Sequence, residues 1–231
     1  MQLSIIIPTL NEEHNIVRLL KHLSRAPKIH EAEIIICDGQ SEDQTREVVG
    51  HWKVKVVNCE RGRAKQMNAG VERASSGILY FVHADTLPPL SFMEDIQQAL
   101  DGGYDLGSYR FRFDSDKKLL KINNYFTRFN KMWTRGGDQS LFIRKDTFQA
   151  LGGYQEEYVI MEEYDLLQRA KTAALNFKIM PKDIVVSARK YDENGYLKVQ
   201  FANLVVFNMF RLGCRPQRIL NMYRRLIDYR S

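Results

Sequence analysis

The first half of the chain alternates between short β-branched runs and segments whose apolar residues recur at helical spacing. Residues 3–7 are apolar and β-rich, and we expect Pro8 to end this first strand. Ile16, Leu19 and Leu23 then recur on one face of a helix. The alternation predicts strands at residues 3–7, 34–37, 54–57 and 78–82, separated by helices at residues 13–25, near Val48 and at residues 64–74. Strands that alternate with helices pair in parallel and indicate a doubly wound α/β sheet.

The pattern changes after residue 85, where strands become less frequent. Aromatic residues alternate with arginines over residues 109–113, as in a half-exposed strand. Further strands are predicted at residues 141–143 and 184–187, and helices at residues 92–100, 117–133, 146–151 and 162–174. From Tyr196 onward the pattern is helical, with a break at Gly213 and Pro216. We therefore expect an α/β domain over residues 1–190 and a C-terminal helical extension over residues 191–231 that packs on the same domain.

Composition and charge add little to these predictions of fold and function. The chain has 231 residues and 44% hydrophobic content, which suits one domain with a full-sized core. The net charge of +6 is compatible with nucleic acid, anionic lipid or a phosphate-bearing small molecule, and equally with solubility alone. Three scattered cysteines without a CxxC pair indicate a reducing compartment, hence the cytoplasm. We expect no signal peptide, and no apolar run approaches the roughly 20 residues that span a bilayer.

Polar patches follow the predicted strands at equivalent positions. They lie at residues 8–12, 38–43, 62–68 and 83–86. In open α/β sheets, ligands bind outside the carboxyl ends of the strands, so patches that are distant in sequence can converge on one ligand. Taken singly, each patch has an ordinary structural interpretation: a turn at Asp38-Gly39, a solvated basic helix turn at residues 62–68, and a helix cap at Asp85.

Together with an acidic helix start at residues 161–169, these patches resemble the family 2 glycosyltransferases over roughly residues 3–190. Residues 62–70 and 83–86 resemble, more narrowly, a small bacterial subgroup associated with radical-SAM and selenium-related genes. The resemblance implies a GT-A fold, with a mostly parallel sheet, helices on both faces and additional C-terminal helices. It also implies a nucleotide-diphosphate sugar as donor, most often a UDP sugar, and these nucleotide-sugar contacts: Pro8, Thr9, Leu10, Asn11, Glu12, Asp38, Gly39, Arg63, Gln66, Asn68, Ala84 and Asp85.

The same resemblance implies a divalent metal and a catalytic carboxylate. The family carries an Asp-x-Asp motif whose last residue binds Mn²⁺ or Mg²⁺, and this chain has His83-Ala84-Asp85, which leaves Asp85 as the metal ligand. Glu163 matches the position of the catalytic base of an inverting transfer, with Glu in place of the usual Asp. Gly137, Asp138 and Glu162 are expected on the acceptor side. An acidic first helical turn that merely complements the helix dipole is the simpler interpretation of residues 162–163.

The sequence indicates the acceptor and other partners less clearly than the donor. Basic residues are interleaved with apolar ones near the C-terminus, at Arg211, Arg215, Arg218, Arg224, Arg225 and Arg230. Basic amphipathic helices can lie on an anionic membrane, which would suit a lipid-linked acceptor, although a saccharide acceptor and a plain solvated face remain open. We expect no nucleic-acid partner. The alternative function is a noncatalytic α/β protein that binds nucleic acid or another anionic ligand.

Overall fold

The computed structural model describes residues 2–129, 131–135 and 139–228. Gly137, Asp138 and Arg230, which figure in the sequence predictions, lie outside the described residues. The strands are β1 (Leu3–Thr9), β2 (Ala32–Asp38), β3 (Lys55–Asn58), β4 (Ile78–Phe81), β5 (Thr86–Leu87), β6 (Leu106–Phe113), β7 (Leu141–Arg144) and β8 (Phe177–Val186). The helices are α1 (Glu13–Leu23), α2 (Thr45–Val49), α3 (Arg63–Arg73), α4 (Phe92–Asp101), α5 (Lys118–Phe126), α6 (Lys145–Ala150), α7 (Glu162–Thr172), α8 (Arg189–Asn194), α9 (Tyr196–Arg211) and α10 (Pro216–Leu226).

The described strands form one eight-stranded sheet in the order β3-β2-β1-β4-β7-β6-β8-β5. The strands β3, β2, β1 and β4 run parallel, as the βα alternation of the first half predicts. The pairs β4–β7, β6–β7 and β5–β8 are antiparallel, whereas β6 and β8 are parallel. The predicted α/β class with a mostly parallel sheet is therefore confirmed.

Helices cover both faces of this sheet. Successive side chains of β1 point to opposite faces, so the strand packs against helices on both. Ile5 and Ile7 of β1 pack in the cluster that includes the apolar faces of α1 and α4. Ile6, between them, packs with α3, α6 and α7 on the other face. All three isoleucines are fully buried. Side chains of β1 alternate between two faces that are both covered by helices. This explains why its sequence is a continuous apolar run.

Pro8 does not end β1, contrary to the sequence prediction. The strand continues to Thr9, and Pro8 is paired with Cys37 of β2. On the other side, β4 pairs with β1 only as far as Ile6, whose carbonyl accepts the N–H of Val82. Backbone groups two residues apart point the same way, so the nitrogen of Pro8 faces the side where β4 has already ended. The missing N–H therefore removes no ladder hydrogen bond.

The second half differs more from expectation. The helix predicted over residues 117–133 is shorter: α5 ends at Phe126, and a 3₁₀ turn forms only at Met132–Thr134. The half-exposed strand predicted at residues 109–113 is confirmed as part of β6, where Tyr109 and Phe113 are buried and Arg112 is exposed. The two-residue strand β5 was not predicted. The predicted boundary at residue 190 falls within α8 and remains a prediction.

The C-terminal helices pack through a separate apolar cluster. Val206 of α9 meets Ile219 and Tyr223 of α10, together with Ile160 from the segment that precedes α7. This contact places the C-terminal helices beside the start of α7, where the predicted catalytic carboxylate lies. None of the helices in the described part of the chain combines the length and the apolar character that a membrane-spanning segment needs.

Candidate active site

The loop that follows β1 is held in place by the loop that follows β2. The N–H of Asn11 donates to Ser41 Oγ at 2.9 Å, and the N–H of Glu42 donates back to Asn11 Oδ1 at 2.8 Å. The N–H of Glu12 donates to Thr45 Oγ1 at 2.8 Å. Asn11 has a φ of +55°, a left-handed conformation that these bonds stabilise. The loop is therefore ordered before any ligand arrives.

Asp38 organises this pair of loops from inside the protein. Its carboxylate is fully buried and accepts hydrogen bonds from Ser41 N–H at 3.0 Å and Ser41 Oγ at 2.5 Å, with Thr9 Oγ1 at 3.3 Å. The N–H of Gly39 donates to the carbonyl of Thr9 at 2.9 Å. Neither Asp38 nor Gly39 lines the cavity described below, so the structure does not bring these two predicted nucleotide contacts to its surface.

Gln66 joins the carboxyl ends of the neighbouring strands β1 and β2. Its buried side-chain amide donates to the carbonyl of Thr9 at 2.7 Å and to that of Cys37 at 2.8 Å. A Cβ at Gly39 would lie 3.0 Å from this amide, so a glycine is required at that position for the close approach. Gln66 thus has a structural role in addition to its place in the cavity wall.

The start of α3 is tied to the start of α7 by an ion pair. Arg63 Nη1 lies 3.3 Å from Glu162 Oε1, and the Glu162 side chain is buried. Burial raises the pKa of Glu162 above its ordinary value of 4.5, while the nearby Arg63 guanidinium opposes that rise and the neighbouring Glu163 adds to it. The pair thus stabilises a carboxylate whose ionisation the protein interior disfavours.

Asn68 lies away from these groups. Its amide donates to the carbonyl of Tyr154 at 2.8 Å and to Glu156 Oε1 at 3.1 Å, and its oxygen accepts the N–H of Tyr154 at 3.0 Å. It does not line the cavity, so the structure does not bring this predicted diphosphate contact to the site. The helical repeat places Asn68 on a different face of α3 from Arg63.

Glu163 faces the turn that follows β4. Glu163 Oε1 lies 3.5 Å from His83 Nε2, and both side chains are buried. Met161, directly before α7, has a φ of +72°, and this left-handed residue sets the direction in which the helix begins. Asp85 lies two residues beyond His83 and is half-buried at the same wall. Groups from the β4 turn and from the start of α7 therefore meet.

These elements surround one cavity of about 1030 Å³. The predicted site residues that line it are Pro8, Thr9, Leu10, Asn11, Glu12, Arg63, Gln66, Ala84, Asp85, Glu162 and Glu163. The predicted residues that it does not include are Asp38, Gly39 and Asn68, and the acceptor-side Gly137 and Asp138 lie outside the described residues. The strand-end patches and the acidic helix start therefore converge in space.

Basic side chains in the cavity wall extend the predicted set. Arg189 Nη2 lies 3.2 Å from Glu12 Oε1. Burial works against its charge, but Glu12 and Asp85 together raise the pKa of Arg189 above its ordinary value. Arg135 also lines the cavity; burial lowers its pKa to about 10, and it donates to Gln139 Oε1 at 3.1 Å. In the sequence, Arg135 directly precedes the pair Gly136-Gly137, of which Gly137 is predicted on the acceptor side.

The C-terminal helices close the opposite side of the cavity. Gln200 and Asn203 of α9 and Tyr223 of α10 line it. The Tyr223 hydroxyl donates to Asn203 Oδ1 at 3.2 Å, and Lys190 Nζ lies 5.0 Å from the Tyr223 ring centroid. No sequence signal marks these residues, because amides on a helix are ordinarily surface groups.

The donor set fits a divalent metal that arrives with a diphosphate. Within the described ranges, no three His, Cys, Asp or Glu side chains come together as a metal site. Asp85 supplies a carboxylate in the cavity wall, and His83 is two residues away. Mg²⁺ commonly binds one or two carboxylates and completes its shell with substrate phosphates and water. The described residues can therefore hold such an ion as part of a ternary site that includes the diphosphate.

The protein is thus an α/β protein in which strand-end loops, arginines and carboxylates line one cavity. The chain belongs to glycosyl transferase family 2, whose family model matches residues 4–152. It is 25% identical over 187 residues to the glycosyltransferase AglE of Haloferax volcanii, covering 74% of this chain and 61% of that protein. The chain thus spans about three fifths of this relative's length.

Solved structures confirm the GT-A fold. The mannosyltransferase PcManGT of Pyrobaculum calidifontis, in complex with GDP-Man and Mn²⁺, superposes with a TM-score of 0.69 at 18% identity, covering 97% of this chain and 69% of that one. TarS 1–349 of S. aureus, in complex with UDP-GlcNAc, superposes with a TM-score of 0.68 at 20% identity, covering 82% of this chain and 59% of that one.

Proposed function

We propose that this chain transfers a sugar from a nucleotide-diphosphate sugar, with a UDP sugar as the first candidate, to an acceptor hydroxyl, with inversion at the anomeric carbon. One observation carries the proposal: the loop at residues 8–12, the cations Arg63 and Arg189, and the carboxylates Asp85 and Glu163 all line a single cavity. The family and the donors in the complexes of PcManGT and TarS support the choice of substrate class.

The loop after β1 is the proposed nucleotide side. Backbone groups of residues 8–12 and the Glu12 carboxylate can accept hydrogen bonds from ribose hydroxyls. Arg63 and Arg189 offer forked donors for the diphosphate on either side of this loop. Because Arg63 is paired with Glu162 and Arg189 with Glu12, both guanidinium groups are positioned before the donor binds.

Glu163 is the proposed general base. It would take the proton from the acceptor hydroxyl as that oxygen forms a bond to the anomeric carbon. The bond from the anomeric carbon to the diphosphate oxygen breaks on the opposite face, and its electron pair leaves with the nucleoside diphosphate. His83, 3.5 Å from Glu163 Oε1, positions the carboxylate, and the proton later passes to solvent.

Asp85, with His83 nearby, is the proposed protein ligand of Mn²⁺ or Mg²⁺. When bound, the ion neutralises negative charge on the departing diphosphate as a Lewis acid. The acceptor is proposed to be a saccharide or a lipid-linked hydroxyl rather than nucleic acid. The three free cysteines and the basic C-terminal helices support a cytoplasmic location with peripheral contact to the inner membrane face.

The first experiment measures donor binding and turnover in the same preparation. Calorimetry with UDP, GDP and dTDP sugars, each with and without Mn²⁺, identifies the donor. Release of nucleoside diphosphate, with water as the acceptor, then reports turnover. We expect Glu163→Gln to lower kcat by about 10²–10⁴ while donor affinity is retained, because a general base contributes that factor.

Glu157→Gln is the matched control, since Glu157 is exposed in the segment that precedes α7 and does not line the cavity. It should leave kcat and donor affinity unchanged. Unchanged turnover in Glu163→Gln would refute the base assignment. The absence of binding to every donor sugar would refute the transferase proposal.

A further inference from the structure

Helix α9 carries apolar side chains on its exposed side as well as on its buried side. Val199, Ala202 and Val206 are fully buried. On another face of the helix, Leu197, Phe201 and Leu204 are 78%, 57% and 60% exposed. Exposed apolar side chains that cluster on one face of a helix, in addition to its buried face, mark an interaction surface. The exposed side of α9 is therefore a candidate binding surface.

Helix α5 and the residues after it present a second exposed apolar face. Leu119, Ile122, Tyr125 and Phe126 recur at helical spacing, and each is between 38% and 51% exposed. Phe129 follows the helix and is 41% exposed, with its ring centroid 5.7 Å from that of Tyr125. Contiguous exposed apolar groups of this size mark interaction sites more often than scattered single residues do.

The two helices are neighbours at the opening of the cavity. Asn123 Oδ1 of α5 accepts hydrogen bonds from the Tyr196 hydroxyl at 3.1 Å and from Gln200 Nε2 at 2.7 Å, both on α9. Phe126 of α5 and Leu204 of α9 are exposed and also line the cavity. We call the exposed side chains the apolar rim, formed by Leu119, Ile122, Phe126, Leu197, Phe201 and Leu204.

The two chain segments that carry the apolar rim contain charges of a single sign, although Asp192 of α8 pairs with Lys117 beside them. Residues 117–135 and 196–227 contain twelve Lys and Arg and no Asp or Glu, whereas the remaining residues carry 22 Lys and Arg against all 28 Asp and Glu. The rim segments are thus strongly basic, and the rest of the chain is net acidic. Lys118, Lys121 and Lys198 are among the exposed cations on α5 and α9.

We propose that the apolar rim docks on an anionic lipid bilayer. Its aliphatic and aromatic side chains would enter the boundary between headgroups and acyl chains, while the surrounding cations contact the anionic headgroups. Another copy of this chain is a poorer match, since it would place two basic surfaces face to face. The apolar face of α10 is already buried against α9, so α10 supplies charge rather than inserted side chains.

Docking in this orientation turns the opening of the cavity toward the bilayer. Resting on the proposed transferase function, this implies that the acceptor hydroxyl belongs to a molecule carried in the membrane, while the donor enters from solvent. The sequence pattern indicated the basic C-terminal helices as the membrane contact. The structure adds α5, which lies 70 residues or more from α9 in the chain, and assigns the inserted side chains to α5 and α9.

The test is co-sedimentation of the full chain with vesicles of phosphatidylglycerol and phosphatidylcholine, compared with vesicles of phosphatidylcholine alone. We expect binding to the anionic vesicles that weakens with added salt. The double substitution Leu197→Gln and Phe201→Gln should lower the partition coefficient by about tenfold or more, because two inserted apolar side chains are lost. Val56→Gln, at an exposed apolar position on the edge strand β3, is the matched control and should bind as wild type.

Three outcomes would overturn the proposal. The first is no binding to anionic vesicles, and the second is equal binding by the wild type and the double variant. The third is a wild-type protein that does not bind vesicles but sediments as a dimer, with the double variant sedimenting as a monomer. Calorimetry with a UDP sugar and Mn²⁺, without vesicles, separates this result from the proposed function. Neither substituted residue lines the cavity, so the double variant should bind the donor as wild type. Vesicle binding without binding of any of the UDP, GDP and dTDP sugars would sustain the docking surface and refute the transferase function.

Discussion

Replacing Gln66 by methionine tests whether this residue joins the strand ends or only contacts the ligand. The side chain lies in α3, where methionine has a similar helix propensity and length. The substitution removes the amide that donates to the carbonyls of Thr9 and Cys37 at 2.7 and 2.8 Å. Shape and helix are retained, so the change in stability reports on these two hydrogen bonds.

The structure sets the size of the effect. A typical intramolecular hydrogen bond contributes about 1 kcal/mol net, so the loss of two predicts about 2 kcal/mol less stability. The carbonyl of Thr9 keeps the N–H of Gly39 at 2.9 Å, so it is not left unpaired and the larger desolvation cost does not apply there. For a chain of this size, about 2 kcal/mol corresponds to a fall in Tm of about 4–8 °C.

Urea unfolding followed by circular dichroism measures the free energy of unfolding, with Tm as a second readout. Gln98→Met is the control, because Gln98 is exposed on α4 and its side-chain amide donates to Glu94 Oε1 of the same helix at 3.1 Å. We expect this control within about 0.5 kcal/mol of wild type. If Gln66→Met were equally neutral but lost donor affinity, Gln66 would be a ligand contact and the structural role would be refuted.

Three further predictions address packing, pH and the metal. Gly70→Ala places a Cβ 2.5 Å from Ile6 Cγ2 and should lower the free energy of unfolding in urea by about 1–3 kcal/mol. In the control variant Gly77→Ala, the added Cβ meets nothing within 4 Å. Equal urea midpoints for the two variants would contradict this prediction. Burial opposes ionisation of Glu33, but hydrogen bonds from Lys55 and two serines lower its pKa from 4.5 to about 2. The stabilisation that ionised Glu33 contributes is therefore full above pH 4.5 and is lost as the pH falls toward about 2. Glu33→Gln should flatten the dependence of the free energy of unfolding on pH in this range. An unchanged slope would refute the assignment. Asp85→Asn should abolish the Mn²⁺-dependent part of donor affinity without unfolding the chain; full metal dependence in calorimetry would exclude Asp85 as the ligand.

The first half of the fold was predictable because its periodicity is local. The runs at residues 3–7 and 34–37 are buried on both faces, so their apolar character is continuous, and the helices between them show one apolar stripe. The extension of β1 past Pro8 was not predictable, because it depends on where β4 stops pairing. The short β5 exists only because the end of β8 is adjacent to it.

The predicted residues at which a polar side chain and a strand end coincide, such as Glu12 and Asp85, line the cavity, and their contacts with a ligand stay predictions. Other predicted residues form hydrogen bonds within the scaffold. Asp38 and Asn68 carry side chains suited to ligand binding, yet their hydrogen-bonding capacity is used by Ser41 and by Tyr154. A sequence records which groups can form hydrogen bonds but not which partner is nearer, and that choice depends on the packed structure.

By itself, the amino-acid sequence determined the α/β class, the strand-end positions of the polar patches and the excess of cations in two segments, since each follows from local spacing or composition. Only the tertiary structure decided that Arg63 meets Glu162, that His83 meets Glu163, and that α5 and α9 place exposed apolar side chains at one cavity opening. The physical reason is that these contacts join residues 70 or more positions apart. Their proximity arises from strand order and helix packing, which local periodicity does not encode.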